Sequence, residues 1–287
     1  MSYDLLFVRP DKPSRSNFSR YFESRANYEL SDDQACYNNS DTGVYFSFEL
    51  RTQEDLEGLD EDEPEYWASF TLNCIRPRFF AEEALQELEA FVSYFKTEVS
   101  DPQTNGMGDG PFEESGFKRG WTEGNRLAVQ SLLAQDSVAK PDFRAGADLA
   151  RIWRWNVGRK ALQKRVGDSL FVPRISIYKM ADTVLSAALW PDAYRIVLPK
   201  TDAILLGKDE LAPKRWLRRT PGFSLVPWDE AAPFLAQQRS ATEPLEHWFL
   251  EHAEPSNELV SWFREAELTS ELEMLSMDQV LDAELVP

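Results

Sequence analysis

The chain has 287 residues, of which 43% are hydrophobic, and it includes 18 Phe, 9 Trp and 9 Tyr. Global disorder is excluded, because this supply of large apolar side chains is sufficient for a core. The formal net charge of −18 disfavours direct binding to nucleic acid, since phosphate backbones are bound through Lys and Arg. No stretch has the length of a membrane span, and the first residues lack the basic and apolar regions of a signal peptide, so we expect a cytoplasmic protein.

The first hundred residues predict a compact unit. An apolar run at 3–8 indicates a buried strand, and a helix is predicted over 14–27. Apolar and polar residues alternate over 43–50, as in a half-buried strand, and a second strand is predicted over 66–74. The helix over 81–96 has the clearest 3.6-residue periodicity. The order β-α-β-β-α predicts a ferredoxin-like unit over residues 1–100.

Residues 101–120 contain five glycines and two prolines. Such a density of helix and strand breakers is typical of a linker or a large surface loop. We therefore predict a boundary at 101–120 between the ferredoxin-like unit and a second part over 121–287.

The second part is predicted to contain helices near 123–134 and over 148–166, with Ala150, Trp153, Val157 and Ala161 forming the apolar stripe of the latter. Short apolar runs follow, at 170–178, 184–190, 194–198, 203–206 and 223–228. Because their connections are too short for helical crossovers, they predict an antiparallel meander. Helical patterns end the chain. The fold class is therefore α/β of the α+β type, an N-terminal ferredoxin-like βαββα unit with a C-terminal antiparallel sheet and flanking helices.

Charge is segregated along the chain. Residues 1–139 carry a formal net charge of −15, residues 140–219 carry +9, and residues 240–287 carry −11. Two interpretations stay open: the acidic tail packs on the basic middle, or an acidic segment faces a basic partner. The basic helix around 151–165, with Trp153 and Trp155, also suggests RNA binding in isolation, but an intramolecular acidic contact is the simpler account.

Motifs for catalysis, metal binding and cofactor binding are absent from the sequence. His247 and His252 are five residues apart, which on a helix would separate them by about 140°. No GxSxG elbow is present, and Cys36 and Cys74 have no local signature of a nucleophile, a zinc site or a disulfide scaffold. The glycine loop at 105–111 lacks the Lys-Ser/Thr of a phosphate-binding loop. We therefore predict no catalytic residue, metal or cofactor.

The strongest candidate for binding is the acidic connection at 54–65, which holds eight carboxylates and no base. Carboxylates accept bidentate hydrogen bonds from Arg, and aromatic residues beside a charged rim are frequent binding anchors. The alternative is a solvated loop followed by two core aromatics. The predicted partner-binding residues are Asp60, Glu61, Asp62, Glu63, Glu65, Tyr66 and Trp67.

Two stretches resemble segments of known proteins. The opening Met1-Ser2-Tyr3-Asp4-Leu5-Leu6-Phe7-Val8-Arg9-Pro10 and the later segment 196–207 are similar to parts of bacterial immunity proteins encoded beside polymorphic or contact-dependent toxins. The resemblance covers less than a tenth of the chain. It implies a cytoplasmic protein that binds and neutralises a cognate toxin, and that has no catalytic site to carry over. The partner it implies is a secreted toxin or effector domain.

The charge indicates how such a protein would act: an acidic surface would cover the active site of a basic partner. No direct contact with nucleic acid or membrane is expected. One alternative is an enzyme of an unrecognised family that uses carboxylates in a cleft between the halves. Another is a cytosolic chaperone or adaptor for an effector.

Overall fold

The computed structural model describes residues 1–8, 13–51, 66–135, 139–212, 214–215, 218–219 and 222–286. Helices and several mostly antiparallel sheets make it an α+β protein, which confirms the predicted class. The chain forms two compact units. Unit 1 comprises residues 1–146 and 278–287, and unit 2 comprises residues 147–277.

Unit 1 is built on a seven-stranded antiparallel sheet. Its strands are β1 (Ser2–Val8), β2 (Tyr28–Leu30), β3 (Gln34–Asn39), β4 (Val44–Leu50), β5 (Ala68–Asn73), β6 (Glu98–Ser100) and β7 (Asp109–Gly110). The order across the sheet is β2-β3-β4-β5-β1-β6-β7. Two further strands, β8 (Asp142–Arg144) and β19 (Val280–Asp282), pair in parallel. This pairing joins the C-terminal residues 278–287 to the rest of unit 1.

The helices α1 (Arg15–Phe22), α2 (Phe79–Phe95) and α3 (Glu114–Leu133) supply the core of unit 1. Ser14 caps α1 by accepting the Asn17 N–H, which explains where this helix begins. The Phe91 ring of α2 lies 4.6 Å from the rings of Phe7 and Phe48. Alternate residues of β1, β4 and β5 are fully buried beneath these helices, so one face of the sheet carries the core.

The predicted βαββα order is present as β1-α1-β4-β5-α2. The sequence missed β2 and β3, which precede β4 and extend the sheet on one side, and β6 and β7, which extend it on the other. These strands are short or rich in Asn, Gln and Gly, so their apolar pattern is weak. The ferredoxin-like unit therefore stays an interpretation of part of a larger sheet.

The predicted boundary at 101–120 lies inside unit 1, where it forms β7 and the start of α3. The buried Asp101 carboxylate organises it by accepting the Gln103 and Met107 N–H groups, at 3.0 and 2.9 Å, and the Tyr3 hydroxyl. Its glycines thus serve a tight, hydrogen-bonded loop. The two units divide at 146–147 and 277–278 instead.

Unit 2 contains a five-stranded and a three-stranded sheet. The first joins β9 (Ile175–Met180), β10 (Thr183–Pro191), β12 (Ala203–Lys208), β15 (Gly222–Pro227) and β18 (Glu273–Leu275) in the order β15-β12-β10-β9-β18. The second joins β11 (Ile196–Pro199), β16 (Arg239–Ala241) and β17 (His247–Leu250) in the order β11-β17-β16. A small hairpin pairs β13 (Lys214–Arg215) with β14 (Arg218–Arg219).

The predicted antiparallel meander is wrong at one pair of strands. β10 and β12 are parallel, with Leu189 opposite Leu205. Between β10 and β12 the chain forms β11, which belongs to the second sheet. A strand of another sheet therefore connects the two parallel strands, in place of the helix that such a connection was expected to need. The remaining pairs of the five-stranded sheet are antiparallel.

The helices of unit 2 are α4 (Gly146–Val166), whose first residue belongs to unit 1, α5 (Ala232–Leu235) and α6 (Asn257–Glu265). The predicted stripe of α4 is wrong, because Val157 is 45% exposed while Leu149, Ile152, Trp155 and Leu162 are buried. The Trp155 indole donates to Pro173 O at 2.8 Å, which fixes that face inward. The helical pattern near the C-terminus ends with α6, and part of it forms β18.

Candidate functional site

The structure describes two of the seven predicted partner-binding residues, since Asp60, Glu61, Asp62, Glu63 and Glu65 lie outside the described residues. Tyr66 is half-buried, and the Arg51 guanidinium lies 3.9 Å from its ring centroid. Trp67 is 2% exposed, and its indole donates to Thr97 Oγ1 at 3.1 Å. Trp67 therefore lies in the core of unit 1, which is the alternative stated for this aromatic pair. Partner binding by the seven residues stays a prediction.

The face of the seven-stranded sheet opposite the helices carries polar side chains in two rows across neighbouring strands. Strand register aligns the first row as Glu29, Cys36, Ser47, Thr71 and Asp4, from β2 to β1. It aligns the second as Gln34, Glu49, Ser69, Leu6 and Ser100, from β3 to β6. We call these ten residues, together with Glu98, the acidic face.

The acidic face has one sign of charge. The seven strands of the sheet contain five acidic residues and no Lys or Arg. Glu29, Glu49 and Glu98 are exposed, whereas Asp4 is partly buried and accepts hydrogen bonds from Thr71 at 2.7 Å and Ser2 at 2.8 Å. Small hydroxyl side chains thus lie between the carboxylates, so most side chains of this face are hydrogen-bonding groups.

The carboxylates of the acidic face affect the pKa of the Cys36 thiol. Burial, followed by the negative charges of Glu29 and Glu49, raises the pKa of Cys36. Burial also raises the pKa of Cys74, and both cysteines are free thiols. Because the thiolate is the reactive species, these shifts oppose nucleophilic chemistry at either sulfur.

The negative charge of the chain is concentrated in unit 1. By sequence, unit 1 contains 14 Lys and Arg against 31 Asp and Glu, a formal net charge of −17. Unit 2 contains 17 basic and 18 acidic residues, a net charge of −1. Charge counted along the chain did not reveal this division, because the acidic residues 240–277 lie in the same unit as the basic residues 147–219.

Two carboxylates of α2 are anchored by donors from the β2–β4 region and the end of α1. Glu83 Oε1 accepts the Tyr37 hydroxyl at 2.8 Å and the Asn39 amide at 2.7 Å. Glu87 Oε2 accepts the Arg25 guanidinium at 2.7 Å. These contacts lie on the helix side of the sheet, so they tie α2 to the strands that form the acidic face.

Both histidines lie in unit 2 and outside its helices. His247, in β17, is buried, and its Nδ1 lies 2.7 Å from Leu245 O. His252 Nε2 lies 3.0 Å from Ala193 O. Within the described ranges, no three His, Cys, Asp or Glu side chains are grouped as metal ligands would be.

The sequence did not predict the acidic face, although one signal for it was present. The alternation over 43–50 already separated Ser47 and Glu49 from the apolar residues. The rows were missed because β2, β3 and β6 were not predicted, so the partners of β4 and β1 in the register were unknown.

None of the helices in the described part of the chain combines the length and the apolar character needed to cross a bilayer. Comparison with known proteins finds no family model that matches the chain, and neither a curated protein nor a solved structure that matches it.

Proposed function

We propose that this chain is an immunity-type protein that binds a basic toxin domain in the cytoplasm and covers its active site with an acidic surface. The observation that carries the proposal is the concentration of charge in unit 1, together with a sheet that has no Lys or Arg in any of its strands. The resemblance of residues 1–10 and 196–207 to immunity proteins supplies the kind of partner.

The dimensions of the acidic face suit part of an interface. Its residues lie on six strands. At a spacing of about 4.8 Å six strands span roughly 24 Å, and the longest of them extend about 20 Å, which corresponds to at most about 480 Å². A standard interface buries about 800 Å² on each partner. The acidic face therefore needs a further contribution, and the proposed source is the predicted set Asp60, Glu61, Asp62, Glu63 and Glu65, which lies between β4 and β5 in the sequence.

Electrostatics would act mainly on the rate of association. A net charge of −17 on unit 1 attracts a positively charged partner over distances near the Debye length of about 8 Å at physiological salt. Complementary charge of this kind raises association rates by about two to three orders of magnitude. Fast capture is what neutralising a toxin in the same cell requires.

A partner with a basic active-site cleft would be one that acts on nucleic acid or a nucleotide, because such substrates are polyanions. The acidic face would then occupy the cleft and exclude the substrate sterically. The enzyme and chaperone alternatives stay hypotheses, since no observation of either unit favours them over binding.

The test is an affinity purification from native cytosol, followed by inhibition of the captured protein. The tagged wild-type protein is compared with E29Q/E49Q/E98Q, which removes three exposed charges of the acidic face without changing side-chain size. E243Q/E254Q/E258Q removes three exposed charges from unit 2 and is the matched control.

We expect one basic partner to be retained by the wild-type protein and by the control and to be reduced at least about tenfold by E29Q/E49Q/E98Q, because interface charges govern capture. An equimolar amount of the wild-type protein should abolish the toxic activity of that partner. An acidic partner, equal capture by all three proteins, or a captured enzyme that stays active would contradict the proposal.

The sequence-based candidates at 60–63 are tested in the same assay. Reversal of Asp60, Glu61, Asp62 and Glu63 to Lys should slow association and weaken its dependence on salt. If the rate and the affinity stay unchanged, this segment takes no part in binding, and the acidic face alone carries the proposal.

A further inference from the structure

Unit 2 contains a cavity of about 490 Å³ between the edge strand β15 and the C-terminal end of α6. Its volume falls within the roughly 300–1,000 Å³ typical of ligand pockets. Val226 and the half-buried Trp262 form apolar parts of its wall, and Glu230, Glu265 and Glu267 contribute carboxylates. None of its lining residues is Lys, Arg or His.

The backbone adds negative potential to that of the carboxylates. Trp262, Glu265 and the C-cap residue Ala266 all line the cavity, and they form the last turn of the nine-residue helix α6. The C-terminal end of a helix carries about half a negative charge on its free carbonyl groups. The carboxylates and the helix end therefore both favour a cation in the same space.

One buried cation opposes this field. Lys208 is buried, and its ammonium donates to the backbone oxygen of Ala266. Burial lowers the pKa of Lys208. Three carboxylates against one ammonium leave an excess of two negative charges around the cavity. Neither Lys208 nor Arg264, which lies on the last turn of α6, lines the cavity itself.

The wall of the cavity is held in place before any ligand arrives. The Thr269 N–H donates to Phe223 O at 2.9 Å, and the Leu225 N–H donates to Thr269 Oγ1 at 2.9 Å. The Trp262 ring packs against the Phe234 ring, with centroids 5.1 Å apart. A preformed pocket loses little conformational entropy on binding, which favours affinity.

We infer that this cavity binds a guanidinium or alkylammonium group, with the cation against the Trp262 ring and paired with Glu265 and Glu267. An indole face attracts a cation through its quadrupole, and carboxylates supply charge-assisted hydrogen bonds. The group can belong to an Arg or Lys side chain of a protein or to a free polyamine-like molecule. The inference concerns unit 2 alone and does not depend on the acidic face.

The test is isothermal titration of the full-length protein with agmatine, which carries a guanidinium on a short alkyl chain. A neutral urea of the same length is the control ligand. The variant E265Q/E267Q removes two of the lining charges without changing side-chain size. The control variant E258Q removes one charge from the first turn of α6, outside the cavity. The variant Lys208→Met removes the opposing positive charge.

We expect the wild-type protein to bind agmatine saturably, with a Kd below about 1 mM. The urea should bind the wild-type protein at least about tenfold more weakly than agmatine does. Agmatine should bind E265Q/E267Q at least about tenfold more weakly than it binds the wild-type protein. E258Q should bind as the wild-type protein does, and Lys208→Met should bind agmatine at least as tightly. Absence of saturable binding, equal affinity for the urea, or an unchanged Kd in E265Q/E267Q would overturn the inference.

A second titration identifies the source of the cation. A capped tripeptide with a central Arg that binds at least about tenfold more tightly than agmatine assigns the cavity to a protein side chain, because the flanking backbone then contributes contacts. Agmatine binding as tightly as the peptide, or more tightly, assigns it to a small free cation.

Discussion

Replacing Phe91 by Ala removes the aromatic side chain at the centre of the unit 1 core. The Phe91 side chain is fully buried. Its ring centroid lies within 6.5 Å of seven other rings, those of Phe7, Phe18, Tyr21, Phe22, Phe48, Trp67 and Phe95. These rings come from α1, α2, β1, β4 and the residue before β5, so one truncation loosens the contacts that α1 and α2 make with the centre of the sheet that carries the acidic face.

The expected loss of unfolding free energy is about 4–5 kcal/mol. A buried Phe→Ala change costs about 3–5 kcal/mol through lost burial and the cavity left behind. Well-oriented ring pairs add about 0.5–1.5 kcal/mol each, but pairs that share one ring do not add fully, so the upper part of that range is expected. Since domains are stable by about 5–15 kcal/mol, unit 1 should unfold at a much lower urea concentration.

The assay must separate the two units, because a chain with two compact units need not unfold in a single transition. Urea titrations followed by fluorine NMR of 5-fluorotryptophan protein do so, since Trp67 and Trp121 belong to unit 1. Phe223→Ala is the matched control, as Phe223 is 52% exposed in unit 2. Its expected cost is within about 0.5 kcal/mol. A loss below about 2 kcal/mol for Phe91→Ala, or one equal to the control, would refute this account of the core.

Three further stability predictions follow from buried or crowded positions, each measured by urea unfolding. Gly120→Ala should destabilise unit 1 by about 1–3 kcal/mol, because a Cβ there would lie 2.7 Å from Tyr3 Oη. Gly124→Ala on the same helix has open space around it, so it should stabilise unit 1 by about 0.5–1 kcal/mol. Burial raises the pKa of Asp282, so its protonated form favours folding, and the wild-type protein should lose stability relative to Asp282→Asn as pH rises above about 4. Burial lowers the pKa of His247, so the wild-type protein should instead lose stability relative to His247→Phe as pH falls below about 6.5. A pH-independent difference between wild type and variant would contradict either pH prediction, and equal effects of the two alanines would contradict the first.

Local sequence patterns located most helices and most of the longer strands because their signals are short-range. The periodicity over 81–96 predicted α2 (Phe79–Phe95) to within two residues, and the alternation over 43–50 predicted β4 (Val44–Leu50) to within one. The α4 stripe was assigned to the wrong face for a tertiary reason. Apolar residues occur on both sides of this helix, and the bond from Trp155 to Pro173 decides which side is buried.

Features that depend on long-range pairing were out of reach of such patterns. The parallel pairing of β10 with β12 requires β11 to join another sheet, which no neighbouring residue encodes. The acidic face was missed for the same reason, since Glu29 and Asp4 are aligned only through three intervening strands. Similarly, Glu230 joins Trp262, Glu265 and Glu267 in the wall of the unit 2 cavity only through the packing of α6 beside β15.

The most direct test of the acidic face as a binding surface is the association rate constant of the captured partner, measured by stopped-flow at increasing salt. E29K/E49K/E98K changes the formal charge of unit 1 from −17 to −11. We predict an association at least about tenfold slower than that of the wild-type protein and a weaker dependence on salt. The same rate and the same salt dependence in both proteins would contradict the account.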